Sequence, residues 1–134
     1  MGLAPEYPDA VFQADGSENT GSFTAGYDDV NLHNYYQWTS SQGTLQDYDV
    51  VTRIKLPLDF NSWDAGNPLT FNYKTADGVT TNNKVDIYLL DTTNSVAGLT
   101  GNTNLANASW STYSSTDDLS GGTWTPGQYI TIKV

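Results

Sequence analysis

The sequence predicts an all-β protein, an antiparallel β-sandwich of jelly-roll type with about eight short strands. Three observations carry that expectation. Apolar residues alternate with polar ones in several short runs, a period of two that suits a half-buried strand. Turn-forming residues separate those runs. No stretch places apolar residues at i, i+3, i+4 and i+7 over three helical turns.

The clearest strand runs from Gln46 to Leu56. Tyr48, Val50, Thr52, Ile54 and Leu56 fall on one face, and Asp47, Asp49, Val51, Arg53 and Lys55 on the other. Three further runs repeat the pattern. Leu69, Phe71 and Tyr73 alternate with Thr70, Asn72 and Lys74; Val85, Ile87 and Leu89 alternate with Asp86, Tyr88 and Leu90. At the end of the sequence, Ile130, Ile132 and Val134 alternate with Tyr129, Thr131 and Lys133. Shorter candidates are Ala10 to Ala14, Tyr35 to Thr39, Ser95 to Leu99 and Ala108 to Tyr113. Phe60 to Ala65 could form one helical turn capped by Asn61 or Ser62. Turns are expected at Asp15-Gly16-Ser17, Ala65-Gly66-Asn67-Pro68, Asp77-Gly78, Gly101-Asn102, Gly121-Gly122 and Pro126-Gly127. The apolar halves of the runs (Val50, Ile54, Leu56, Phe71, Val85, Ile87, Leu89, Ile130 and Ile132) define one expected core. Trp63 and Trp124 are expected to cover the ends of the sandwich.

A chain of 134 residues is read as a single domain over residues 1–134. Because the strong strand Tyr129–Val134 runs to the last residue, the sequence reads as a piece of a longer protein. The expected result is an open sheet edge there, a template for a further strand. With no Cys there is no disulfide framework or thiolate metal site. No run approaches the ~18 apolar residues of a membrane span, so no membrane insertion is expected. Met1 to Pro5 lack the basic and apolar regions of a signal peptide.

Charge excludes more than it identifies. Fifteen Asp and Glu face five Lys and Arg, a formal net charge of −10. A nucleic-acid partner needs a basic face, which five cations cannot supply to so acidic a chain. Charged residues are only 15% of the sequence, so its polarity rests on Ser, Thr, Asn, Gln and Gly beside nine Tyr and four Trp. That balance suits an extracellular or cell-surface β-protein better than a cytoplasmic enzyme.

Candidate chemistry is sparse. The single histidine, His33, stands at a strand start, and no Gly-x-Ser-x-Gly elbow offers it a nucleophile. Asp28-Asp29, Asp47 with Asp49, and Asp117-Asp118 could supply the paired acids of a glycoside hydrolase. Asp47 and Asp49 lie ~7 Å apart by strand rise. They sit opposite Tyr48 and Val50, on an expected solvent face, where nothing raises a carboxyl pKa. A structural Ca²⁺ could use the oxygens of Asp15-Gly16-Ser17-Glu18-Asn19, although the full Asp-x-Asp-x-Asp-Gly spacing is missing and a solvated turn is the simpler reading. No catalytic residue, metal ligand or cofactor is assigned. The candidate ligand-binding residues are Tyr35, Tyr36, Gln37 and Trp38. Tyr36 and Trp38 share one strand face and Tyr35 and Gln37 the other; one face must be buried, and the other could stack on sugar rings. Asn107-Ala108-Ser109 is a glycosylation sequon, meaningful only on a eukaryotic secretory route.

Tyr7-Pro8-Asp9-Ala10-Val11-Phe12, His33-Asn34-Tyr35-Tyr36-Gln37-Trp38 and Leu45-Gln46-Asp47-Tyr48-Asp49-Val50-Val51 resemble β-domains of long bacterial surface or fibre-like proteins. Such domains are similar in architecture to carbohydrate-binding jelly rolls and phage tail-fibre modules. The resemblance implies a non-enzymatic structural or adhesive role outside the cell, with no site residues to carry over. It also implies a further strand after Val134. The open edge expected there would take that strand from the next segment, from a neighbouring subunit by donor-strand addition, or from a copy of this chain, so the expected partners are glycans or neighbouring subunits, with self-association through sheet edges among the readings.

The excess of acid generates a first prediction. Screening of like-charge repulsion by moderate NaCl should raise the melting temperature at neutral pH. A larger rise from millimolar Ca²⁺ at matched ionic strength is the signature of a specific cation site.

Overall fold

A computed structural model describes residues 12–13 and 19–134 apart from residue 118. Within them the chain is all-β, with no helix, and its strands pair antiparallel. The strands are β1 (Phe12–Gln13), β2 (Ser22–Asp28), β3 (His33–Thr39), β4 (Asp49–Lys55), β5 (Thr70–Tyr73), β6 (Tyr88–Leu90), β7 (Ser111–Ser114) and β8 (Tyr129–Lys133). One ladder has the order β1-β4-β8-β6; β2 pairs with β3, and β5 with β7. The chain divides into two compact units, Met1–Val51 and Thr52–Val134.

In the first unit, β2 and β3 form a hairpin with Ser22 opposite Thr39 and Asp28 opposite His33. Sequence reading anticipates most of β3 but misses β2 entirely. Ser22-Phe23-Thr24-Ala25-Gly26-Tyr27-Asp28 contains Ala and Gly, which are depleted in strands. Cross-strand packing overrides that weakness. A Cβ at Gly26 would stand 2.5 Å from the Tyr35 ring, so only glycine lets that ring lie over the β2 backbone. Asp28 Oδ1 accepts the N–H groups of Val30 (3.0 Å) and Asn31 (2.9 Å) and closes the hairpin. β1 meets the start of β4, Phe12 opposite Val50 and Gln13 opposite Asp49. The rest of the expected strand Ala10 to Ala14 lies outside the described residues, as do residues 15–18 of the possible Ca²⁺ turn.

In the second unit, β8 lies between β4 and β6. This corrects the expectation of an open edge at the terminal strand: β8 is an interior strand. The outer side of β6 is itself engaged, since Ala97 N–H donates to the Leu89 carbonyl (2.7 Å) and Asp91 N–H to that of Ser95 (2.9 Å). Ser95 to Leu99 therefore supplies a bridge, Val96 with Leu90, and not the strand its sequence suggests. The helical turn expected over Phe60 to Ala65 is also absent. Phe60 N–H closes a turn onto the Pro57 carbonyl (3.2 Å), and the chain then runs on as loop.

The buried cluster comprises Leu56, Leu89, Ala97, Leu119 and Ile130, with Ile54, Phe60, Trp63, Leu99, Trp124 and Ile132 packed against it. Of the nine residues assigned to the core by alternation, Leu56, Ile87, Leu89 and Ile130 are buried. Val50, Ile54, Phe71, Val85 and Ile132 are half-buried. The faces assigned to β5 hold; in β8 Tyr129 is exposed and Ile130 buried as expected, but Thr131, Ile132 and Lys133 are all half-buried. In β4 the alternation holds only from Thr52 to Lys55: Asp49, expected in solvent beside the exposed Asp47, is buried, and Val51, expected on the same face, is half-buried like Val50 and Thr52. Trp63 meets Trp124 edge-on at 5.0 Å and Phe60 at 5.4 Å. Trp124 Nε1 donates to the Leu119 carbonyl (2.6 Å), satisfying a polar atom brought in with the ring.

Truncation of Leu89 to Ala should lower unfolding free energy by about 2–5 kcal/mol, because the site is closed on all sides. The exposed Leu58 provides the control, and its Ala variant should stay within about 0.5 kcal/mol in the same urea titration.

Candidate functional site

The four predicted binding residues all fall on β3, and the hairpin separates them as parity requires. Tyr36 and Trp38 share a face with Phe23 of β2, whose register partner is Trp38. On that face the rings stack in a column. Tyr36 lies on Phe23 (centroids 5.2 Å, planes 6° apart), Phe23 on Tyr48 (5.2 Å, 27°), and Tyr48 on Trp38 (4.1 Å, 18°). The outer end of the column rests on backbone, since a Cβ at Gly21 would come within 2.6 Å of the Trp38 ring. Phe23 and Tyr48 in the middle of the column turn both faces to other rings, whereas Tyr36 and Trp38 stand at its ends, half-buried, each with one face turned to the column.

On the opposite face Tyr35 covers Gly26, and Gln37 is exposed opposite Thr24. His33 begins β3 as expected and is the register partner of Asp28. The adjoining positions on that face are Gly26 and Tyr35, not a serine. Phe23, Tyr27 and Tyr48 were not singled out by sequence reading. Phe23 and Tyr27 would have emerged only once β2 was recognised, because their spacing of four places them on one strand face. At the open end of the hairpin lies a shallow depression of about 460 Å³ lined by Thr20, Gly21, Ser22, Thr39, Ser40 and Ser41. Its lining is hydroxyl and backbone, without a titratable group.

The carboxylates are organised differently from the paired acids of a hydrolase. Asp91 is buried, with 4% of its surface exposed. Burial pushes its carboxyl pKa up, but donors overcome that and hold it at about 2. Oδ1 accepts Thr93 N–H (2.8 Å), Thr93 Oγ1–H (2.7 Å) and Ser95 N–H (3.0 Å), and Oδ2 accepts Thr123 N–H (2.8 Å). One side chain thereby ties the loop after β6 to the loop before β8. Asp77 is held below the ordinary range by the amide of Asn82, Val79 N–H and the amide of Asn83. Asp117 is held down by Thr100 N–H and then by the Thr100 hydroxyl. Each of these acids sits among hydrogen-bond donors, the arrangement that favours a charged carboxylate and removes its use as a proton donor near neutral pH.

Asp47 and Asp49 do not form a solvated pair, since only Asp47 is exposed; Asp118 of the pair Asp117-Asp118 lies outside the described residues. Among the described residues no group of three or more His, Cys, Asp or Glu side chains could hold a metal ion. No helix there is long and apolar enough to cross a membrane. No protein-family model matches the chain, and neither a curated protein nor a solved structure matches it.

The Asp91 clamp gives a pH dependence with a definite sign. Its folded pKa of about 2 lies below the ordinary carboxylate value, so its stabilisation is present above about pH 4 and is lost as pH falls towards 2. Asp91→Asn should lower stability at pH 7 by about 1–3 kcal/mol, because an amide cannot accept from both oxygen positions. The same variant should flatten the fall in melting temperature between pH 4 and 2, which thermal scans across that range would measure.

Proposed function

We propose that the chain is a non-enzymatic, extracellular structural or adhesive module, a β-sandwich of a surface or fibre protein. One observation supports this reading above the others: four of the described carboxylates and the aromatic rings of the hairpin are engaged by the protein itself. Asp28, Asp77, Asp91 and Asp117 accept hydrogen bonds from loop groups, and the aromatic rings of the hairpin stack on one another. Ionised, donor-saturated carboxylates suit mechanical ties between loops and do not suit general acid catalysis, which needs a carboxyl kept protonated near its working pH. The uncharged polar composition and the resemblance to surface and fibre domains agree with a place outside the cell. The module then needs a partner surface and no reaction centre.

Carbohydrate binding is the second reading, favoured by the hydroxyl-lined depression next to Gly21, on which Trp38 rests. The two readings separate in one experiment. A glycan array and a panel of chromogenic glycosides are probed with the wild-type chain and with Tyr36→Ala/Trp38→Ala. The structural reading expects no glycan retained, no turnover, and a clear drop in melting temperature for the double variant, whose rings support the hairpin. Glycan binding that disappears in the double variant at unchanged melting temperature establishes the second reading. Turnover of any glycoside overturns both.

A further inference from the structure

Among the described residues neither edge of the hairpin pairs with a further strand, and the β2 edge lacks the usual guards. Within the described residues β2 pairs with β3 alone. Ser22, Thr24, Ala25 and Tyr27 are exposed along it, and Tyr27 keeps 57% of its surface in solvent. Natural sheets guard such edges with Lys, Pro, bulges or covering loops. From Ser22 to Tyr27 there is no charged residue and no Pro. By contrast, the second unit covers the outer side of β6 with the backbone of Ser95 and Ala97. A two-stranded hairpin is also a marginal structure until further strands or packing join it.

We propose that β2 pairs antiparallel with β2 of a second copy of this chain about a two-fold axis at Ala25, giving a continuous four-stranded sheet. The inference deepens the structural reading above and rests on it. The occupant is identified by how the strand matches itself. With Ala25 opposite Ala25, Phe23 of each copy faces Tyr27 of the other, on the same face as the aromatic column. Cross-strand aromatic pairs of this kind stabilise antiparallel sheets. On the other face Thr24 meets Gly26, and Ser22 meets Asp28, so the one charge on the strand faces a hydroxyl. No like charges are opposed, a strong condition for two copies of a chain with net charge −10. The same register brings the hairpin tip alongside Thr20 and Gly21 of the second copy, at the rim of the shallow depression. That tip exposes Val30 (83%) and Leu32 (74%), and Leu32 is held in the left-handed region at φ 57°.

The absence of native cysteine makes the test clean. Sedimentation across a concentration series at neutral pH should show the mass rising from 14.6 kDa to twice that value. Ala25→Lys opposes two like charges at the axis and should leave monomer, as should Ala25→Glu; an equal mixture of the two should restore the dimer. Ala25→Cys places two Cα atoms about 4.5–5.5 Å apart across an antiparallel pair, within the span of a disulfide. It should cross-link under mild oxidant, whereas Ser22→Cys, roughly 20 Å from its mate by strand rise, should not. Ala25 is exposed, so these variants should fold, and should one of the charged variants not fold, the cysteine pair decides. A wild-type mass fixed at 14.6 kDa, a dimer indifferent to Ala25→Lys, or equal cross-linking of the two cysteine variants overturns the proposal. A monomer that also binds no glycan and turns over no glycoside removes the edge pairing and leaves the structural reading standing. A dimer with glycoside turnover does the reverse.

Discussion

Hydrogen-bond satisfaction in the loops is the constraint on which the second unit depends. Its strands are short, three to seven residues, and long connections run between them. A loop has no ladder to receive its backbone N–H and C=O groups, and leaving them unpaired beside a core costs free energy comparable to a lost hydrogen bond. Asp91, itself buried, answers this between the loop after β6 and the loop before β8. Its four donors come from both loops that border the core. Thr92 reinforces the tie, with its N–H and hydroxyl both donating to the Thr123 carbonyl. Acidic residues that look excessive in a charge count are here the acceptors that loops require.

The first unit solves a different problem. Among its described residues no aliphatic side chain is buried, and flat rings pack against one another instead. A column in which Phe23 and Tyr48 each touch two other rings buries apolar area without close-fitting aliphatic shapes. Glycine at positions 21 and 26 is part of the same solution, since rings of Trp38 and Tyr35 occupy the space a Cβ would need. The hairpin accepts two weak strand formers because the bulk missing from β2 is supplied by β3.

Legibility in the sequence follows this division. The class, the antiparallel pairing and the burial alternation in β5 were readable, because in β5 one face packs and the other does not, and a period of two records that directly. β2 was unreadable, because its strand character resides in the rings of β3 that cover it and not in its own residues. Asp49 defied parity: it is buried on the face that alternation assigns to solvent, at the position where β4 pairs with Gln13 of β1. Val96 alternates well enough to suggest a strand yet forms a single bridge, the neighbouring Asp91–Ser95 turn having fixed the path first. For the candidate site, the sequence located the aromatic residues of β3 but not the rings they stack on, because Phe23 lies on the unrecognised β2 and the stacking of Tyr48 on Trp38 joins residues of different strands.

The position of β8 carries a mechanical consequence. A strand flanked on both sides, by β4 and by β6, transmits an axial load into two ladders at once. The hydrogen bonds of each ladder lie across the strand, so tension along β8 shears them in parallel instead of peeling them one after another. Rupture then requires the bonds of both ladders to fail together, and forced unfolding is governed by that barrier and not by equilibrium stability. A modestly stable domain with an interior strand of this kind can bear tension well beyond what its melting temperature suggests.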